Sequence, residues 1–457
     1  RDMRLDVENE MASRVCGGLR VNGAFALGRR RPNWWPGLFP SHMKYSQTGA
    51  RAFCPLTGFE RAKRAGCPRA GLAGAKCLGG RRLVLLLAAA VVLAASGAIR
   101  AASAAPDPRS AFISFTEFSR FTRSPGARTN EVILLSPEIT APIAWDELVL
   151  SWNVPPGVYL KAEARALYPE RATRYYTLGQ WSDDPARFPR RSVPGQRDAD
   201  GEVRMDTLAL NHAARRVQLR LTVGGAAEPS GLKFLGVSFC NTAAPIRKLA
   251  PNRAAWGKVL PVPERRQGEY EGGGGWCSPT SLSMVLAYWG ERLQRPELNY
   301  TVPETARAIA DGPRADTGNW PFNTAFAGRH PGLRAYVTRL GDIAEMEDWI
   351  AAGIPVILSV SSYLTRSPAS GPDYGHLIVC VGFTDTGDVV ANNPGVSVRK
   401  NVRARQVYAR EQVVRNWARS KNTVYLIYPE TAAIPANRLG HWDDGSAAAG
   451  AVERTGQ

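Results

Sequence analysis

The chain is poor in the residues that bind metals and has none of the patterns that hold them. Its 457 residues include five histidines and seven cysteines. No CxxC pair occurs, so a zinc ribbon and a dithiol redox motif are excluded. No HExxH is present, and the His, Asp and Glu residues lack ligand spacing, which removes a metal-hydrolase reading. Neither a metal nor an organic cofactor is expected. Basic charge is also scarce where a nucleic-acid binder would need it. The formal net charge is +18, but residues 1–82 carry 16 Lys+Arg against five Asp+Glu and account for +11 of it. Recognition of nucleic acid calls for a basic stripe on a folded domain with stacking aromatics, so nucleic acid is not an expected partner. What remains is a globular composition, 44% hydrophobic and 21% charged, long enough for two or three domains.

An export signal stands inside the chain. Arg81 and Arg82 precede an apolar run from Leu83 to Ile99, followed by Arg100 and small residues to Ala104. A basic start, a short apolar core and an A-S-A site at 102–104 read as a secretory signal over 78–104, with cleavage after Ala104. The run is 17 residues, short of the ~20 of a membrane span; a single membrane anchor is the alternative. Either places the mature chain outside the cell or in the cell envelope. Residues 1–77 show no sustained period and read as an extension upstream of the native start. Mass spectrometry of the mature N-terminus tests that expectation. Beyond the signal only Cys240, Cys277 and Cys380 remain. Three is odd, so at least one is unpaired within the chain.

The mature chain divides in two. Residues 107–245 hold short alternating runs (111–115, 131–135, 147–154, 159–167, 174–181, 217–223, 232–239) between Pro, Gly and Asp clusters. These predict a β-sandwich accessory module. Tyr175, Tyr176 and Trp181 either pack it or line a peptide or glycan groove. Residues 246–257 read as a linker. Residues 258–430 mix helices (277–289, 303–311, 343–352, 411–419) with strands (333–340, 355–360, 376–383, 388–392, 423–429), an α+β layout. Residues 431–457 read as a disordered tail.

The chemistry concentrates around residue 277. Four glycines, 272–275, lead into Trp276 and Cys277, and Ser278-Pro279-Thr280 starts a helix. A thiol at a helix N-terminus is favoured as thiolate, and the free N–H groups there can hold an oxyanion. Of the histidines, His376 opens a strand after the turn GPDYG and is the candidate base. The next strand ends at Asn392-Asn393-Pro394, where a carboxamide can orient an imidazole; Asn393 is preferred to Asn392. Gln267, ten residues before Cys277, is a candidate oxyanion donor.

The order Gln267, Gly275-Trp276-Cys277-Ser278-Pro279-Thr280-Ser281, Gly375-His376, Asn393-Pro394 resembles the C39-like cysteine peptidase domain of bacteria. The resemblance implies a papain-like fold over about 258–430 and a Cys, His, Asp/Asn constellation. It leaves the β-rich module outside. The family usually has Asp before Pro where this chain has Asn393, which keeps the orienting bond and loses the negative charge. The best-known C39 domains trim leader peptides inside ABC exporters. No Walker motif is present here, so only the hydrolase chemistry carries over. Two functions follow as expectations: an exported thiol hydrolase of a peptide or amide bond, with a peptide-like substrate, or a non-catalytic peptide- or glycan-binding protein that keeps the fold.

Overall fold

The computed structural model describes residues 107–225, 231–312 and 315–445. The segment expected to carry the export signal lies outside these residues. Among the described residues no helix is long and apolar enough to cross a membrane.

The first module is built from nine antiparallel strands: β1 (Ser110–Phe115), β2 (Thr122–Pro125), β3 (Glu131–Leu135), β4 (Ile139–Asn153), β5 (Val158–Leu167), β6 (Tyr176–Trp181), β7 (Gly201–Arg204), β8 (Thr207–Gly225) and β9 (Phe234–Cys240). The sequence marked only the most regular parts of the longest two. β4 and β8 shift register along their shared ladder, and bulged strands bend. Through them the nine strands join as one hydrogen-bonded sheet rather than two separate ones, with order β1-β9-β4-β8-β3-β2 and β5, β6 and β7 attached beside β8. Tyr176 and Trp181 are buried in it.

The second module pairs a six-stranded antiparallel sheet with five short helices. Its strands are β10 (Leu333–Arg339), β11 (Val356–Ser361), β12 (Gly375–Phe383), β13 (Val389–Asn392), β14 (Arg405–Tyr408) and β15 (Thr423–Pro429), in the order β10-β15-β11-β12-β13-β14. Its helices are α1 (Cys277–Arg292), α2 (Val302–Ile309), α3 (Trp320–Gly328), α4 (Ile343–Ala351) and α5 (Arg410–Trp417). α1 is buried from Ser278 to Gly290. A helix apolar all round belongs in a core, and α1 lies against β12 and α2.

The two modules share a seam. β10 is an edge strand whose main chain would otherwise be open to pairing. β4 covers it with side chains. Asn153 Nδ2 donates to the Ala335 carbonyl at 2.7 Å and Oδ1 accepts from its N–H at 3.2 Å, while Ser151 Oγ accepts from Val337 N–H at 2.9 Å. Beside it, Trp152 and Trp181 pack on Phe322 of α3, with centroids 6.3 and 5.6 Å away.

The linker and part of the tail expected to be disordered are both fixed. Within the linker, Asn252 and Trp256 bond Glu347 of α4 at 2.7 Å each. The expected disordered tail is ordered over residues 431–445. Trp442 is fully buried against Trp349, and His441 lies between Glu345 (2.7 Å) and Asp107 (3.0 Å), all three without exposure. Composition alone hid this, because two aromatic residues in a polar Ala/Gly-rich stretch do the anchoring.

Candidate active site

Cys277 is the first residue of α1, and its position follows from the glycines before it. Gly272 has φ +75°, and Gly273 to Gly275 make a 3-10 turn. A side chain at 273 would sit 2.0 Å from the Gln267 carbonyl. The chain can therefore fold back tightly only with glycine there. Trp276 precedes the helix without a side-chain cap, so no side chain occupies the first-turn N–H groups at the end where the sulfur sits.

His376 is the second residue of β12 and pairs with Val360 of β11. The loop before it is pinned by Asp373, whose carboxylate accepts from Ser361 Oγ at 2.7 Å, Ser362 N–H and Oγ at 3.0 Å and Arg419 Nε at 2.5 Å. The imidazole is buried beside Cys277, close enough for each group to shift the other's titration. Its Nε2–H donates to Asn393 Oδ1 at 2.8 Å. With Nε2 taken, Nδ1 is the nitrogen left for the sulfur.

The two groups favour each other's charged forms. Burial by itself would raise the Cys277 thiol. The hydrogen bond and positive charge of His376, with the N–H groups of Leu377 and Ser278, outweigh it and lower the thiol from its ordinary value. Burial would likewise lower His376, but Cys277, by hydrogen bond and charge, and then Asn393 raise it. The other described cysteines go the opposite way. Cys240 is raised by burial and Cys380 is pushed up to about 12. All three are free thiols, and only Cys277 reaches the surface.

The structure meets the sequence expectations unevenly. It brings Cys277, His376 and Asn393 together. Asn392 instead ties Val262, Pro263 and Arg405 together. Gln267 lies beside the group: its backbone N–H bonds the Pro394 carbonyl at 2.9 Å, and its Nε2 donates to the Gly274 carbonyl at 2.8 Å. One of its two amide N–H bonds is thus engaged by the glycine turn. His330 is packed between Tyr300 and Phe326, and burial lowers it to about 4.

Three residues went unread. Tyr408 on β14 accepts from Asn393 Nδ2 at 2.9 Å and sets the amide's orientation. Gly395 donates its N–H to Asn393 Oδ1 at 2.8 Å and lies against the ring. Asp373 fixes the loop before His376. Gly395 was within reach of the sequence, since Asn-Pro-Gly marks a turn. Tyr408 was not, because β14 is four residues long and half-exposed.

Comparisons with known proteins give two family matches and one similar solved structure. The Peptidase_C39 like family model matches residues 259–425, and the Peptidase C39 N-terminal domain model matches residues 124–237. Residues 259–425 thus match a C39-like peptidase domain. The module before it, which the resemblance left outside, is of a kind found with such domains. A solved structure described as a C39-like peptidase from Bacillus anthracis is similar at 16% identity and a TM-score of 0.30, covering 38% of this chain and 99% of that one. No curated protein matches the sequence.

Proposed function

We propose that the C39-like domain is an exported thiol hydrolase that cleaves a peptide or amide bond through an acyl-enzyme. The observation that carries the reading is the placement of Cys277, at the start of α1, beside a His376 imidazole that Asn393 holds at 2.8 Å, with the thiol lowered and the imidazole raised. In this reading the Cys277 thiolate attacks the carbonyl carbon, and the oxyanion is held by helix N–H groups and by the free N–H of Gln267. His376 gives its Nδ1 proton to the leaving amine as the C–N bond breaks. Water then attacks the thioester, losing a proton to His376, and the carboxylic product leaves with the thiolate restored. Asn393 keeps Nε2 occupied and the ring aligned. Export rests on the signal-like segment at 78–104.

Iodoacetamide at pH 6 tests the chemistry. Cys277 should alkylate far faster than an ordinary thiol while Cys240 and Cys380 stay unmodified, and Cys277→Ala should abolish turnover of a fluorogenic peptide panel. Slow alkylation of Cys277 with no turnover would instead favour the non-catalytic binder, which Asn393 in place of the family's Asp would suit.

A further inference from the structure

A cavity of about 250 Å³ lies at the seam, walled by Glu147, Arg204 and Asp206 of the β module and by Arg339, Arg419 and Lys421 of the peptidase domain. Its position follows from the sheet. Arg339 ends β10 and pairs with Thr423, Val424 pairs with Leu358, and Ser359 pairs with Leu377. Arg339 therefore stands at the same end of the sheet as His376, three strands away, or about 14 Å. Two contacts tie the cavity to the catalytic pair. Thr317, next to lining residue Gly318, bonds the Gly275 carbonyl at 3.2 Å, two residues before Cys277. Arg419 bonds Asp373 in the loop before His376.

The charges do not balance. Arg419 has Asp373, and Arg204 has Glu202, which it shares with Arg197, and lies 4.0 Å from Glu147. That leaves Arg339 and Lys421 against Glu147 alone, at 3.0 and 3.1 Å. Asp206 adds less than a full charge at neutral pH, since burial, against bonds from Trp320 N–H and Thr207, holds it at about 7. Arg339 is 98% buried, bonds Glu147 through Nη2, and has no partner at Nε or Nη1. Buried guanidinium N–H groups are costly unless bonded, and their planar fork fits a carboxylate.

We infer that this cavity is a carboxylate-binding subsite of the substrate cleft, taking an Asp or Glu side chain or a peptide's C-terminal carboxylate. It rests on the peptidase reading for its place in a cleft. The β module is then part of substrate selection, supplying Glu147 and Arg204.

Calorimetric titration of the Cys277→Ser protein with Ala/Gly octapeptides tests it. One Glu or one Gln is moved along the peptide, with the end as acid or amide. Glu at one position should bind about tenfold tighter than Gln there. Lys421→Met should remove most of that preference, Lys421→Arg should keep it, and Arg339→Met should abolish it. Lys421 is a third exposed, so its variants report even where Arg339→Met does not fold. A preference confined to acid-ended peptides assigns the chain end rather than a side chain. Equal binding of Glu and Gln peptides with either end, or a preference that survives Lys421→Met, overturns the subsite. Because Cys277→Ser does no chemistry, selective binding without wild-type turnover would sink the hydrolase reading alone. Turnover with no preference in binding would sink the subsite alone.

Discussion

Gly395→Ala places one methyl group against the catalytic ring. The added carbon would lie 2.9 Å from His376 Cε1, 3.2 Å from Nε2 and 3.4 Å from Asn393 Oδ1. Ordinary carbon contacts are about 3.5–4.0 Å, so the overlap is on the order of 0.6–1 Å. Gly395 is not in the left-handed region, and the backbone would accept alanine. The cost is therefore steric, and something must move. The ring is held by Cys277 on one side and by Asn393 at 2.8 Å on the other. Overpacking of this kind costs about 1–3 kcal/mol. If the ring takes up the shift, misplacement by up to 1 Å costs about a hundredfold in rate. Alkylation of Cys277 as a function of pH is the assay, since it reads the thiolate without a substrate. Wild type should react with a pH midpoint well below that of an ordinary thiol. Gly395→Ala should move the midpoint up and slow the reaction at pH 6, with a small loss in melting temperature. A Gly395→Ala protein that alkylates like wild type across pH 5–9 would refute the packing argument.

Asn393→Asp restores the charge common at this place in the family. A carboxylate 2.8 Å from Nε2 favours imidazolium. The alkaline limb of the rate profile should move up by about one pH unit or more, read as kcat/KM against pH. His441 offers a separate, stability-linked test. Burial would lower it, but Glu345 and Asp107 outweigh burial and push it up to about 9 from 6.5. The stabilisation is complete below pH 6.5 and is lost as pH rises through about 9, amounting to about 3 kcal/mol. Urea unfolding at pH 6 and pH 10 should show the loss, and His441→Gln should remove that part of the pH dependence.

The sequence carried the site further than it carried the fold around it. Cys277, His376 and Asn393 were readable because each ends or begins an element with a clear signal: a glycine run before a helix, a turn before a strand, Asn before Pro. Five of the six strands of the second module were readable for the same reason, and β14 was not. α3 was not: WPFNTAFAG is apolar on every side and has no 3.6-residue face to detect. Its burial comes from both modules, with Trp152 and Trp181 on one side and β10 on another. β2 escaped because its four exposed residues, TRSP, have no apolar alternation, and β7 because GEVR is too short to show one. Long-range partners were invisible for a different reason. Nothing near His441 in sequence announces Glu345 or Asp107, and nothing near Arg339 announces Glu147. Such pairs exist only once the chain has folded.

The seam between the modules reaches the nucleophile through few steps. Asp206, from the β module, accepts the Trp320 N–H at 2.7 Å at the start of α3. Asn319 caps the same helix at Phe322 N–H, and its neighbour along the loop, Thr317, bonds the glycine turn before Cys277. A carboxyl in this place would ordinarily serve best as an anion at a helix N-terminus. Burial opposes that, and it prevails over the bonds from Trp320 and Thr207 and the charge of Arg339, leaving Asp206 at about 7. A carboxyl raised from 3.8 stabilises the fold fully below pH 3.8 and loses that contribution as pH rises through about 7. The span between those values corresponds to about 4 kcal/mol as an upper bound. Asp206→Asn keeps a carbonyl for Trp320 and cannot ionise. Its melting temperature should therefore vary less than wild type between pH 5 and 8, and it should be the more stable protein at pH 8. The same substitution should leave the His441 step between pH 7 and 10 intact, since that pair lies elsewhere in the fold. If Asp206→Asn is less stable than wild type at pH 8, the carboxylate is charged and bonded in the native state. The helix start then gains more from the anion than burial costs it.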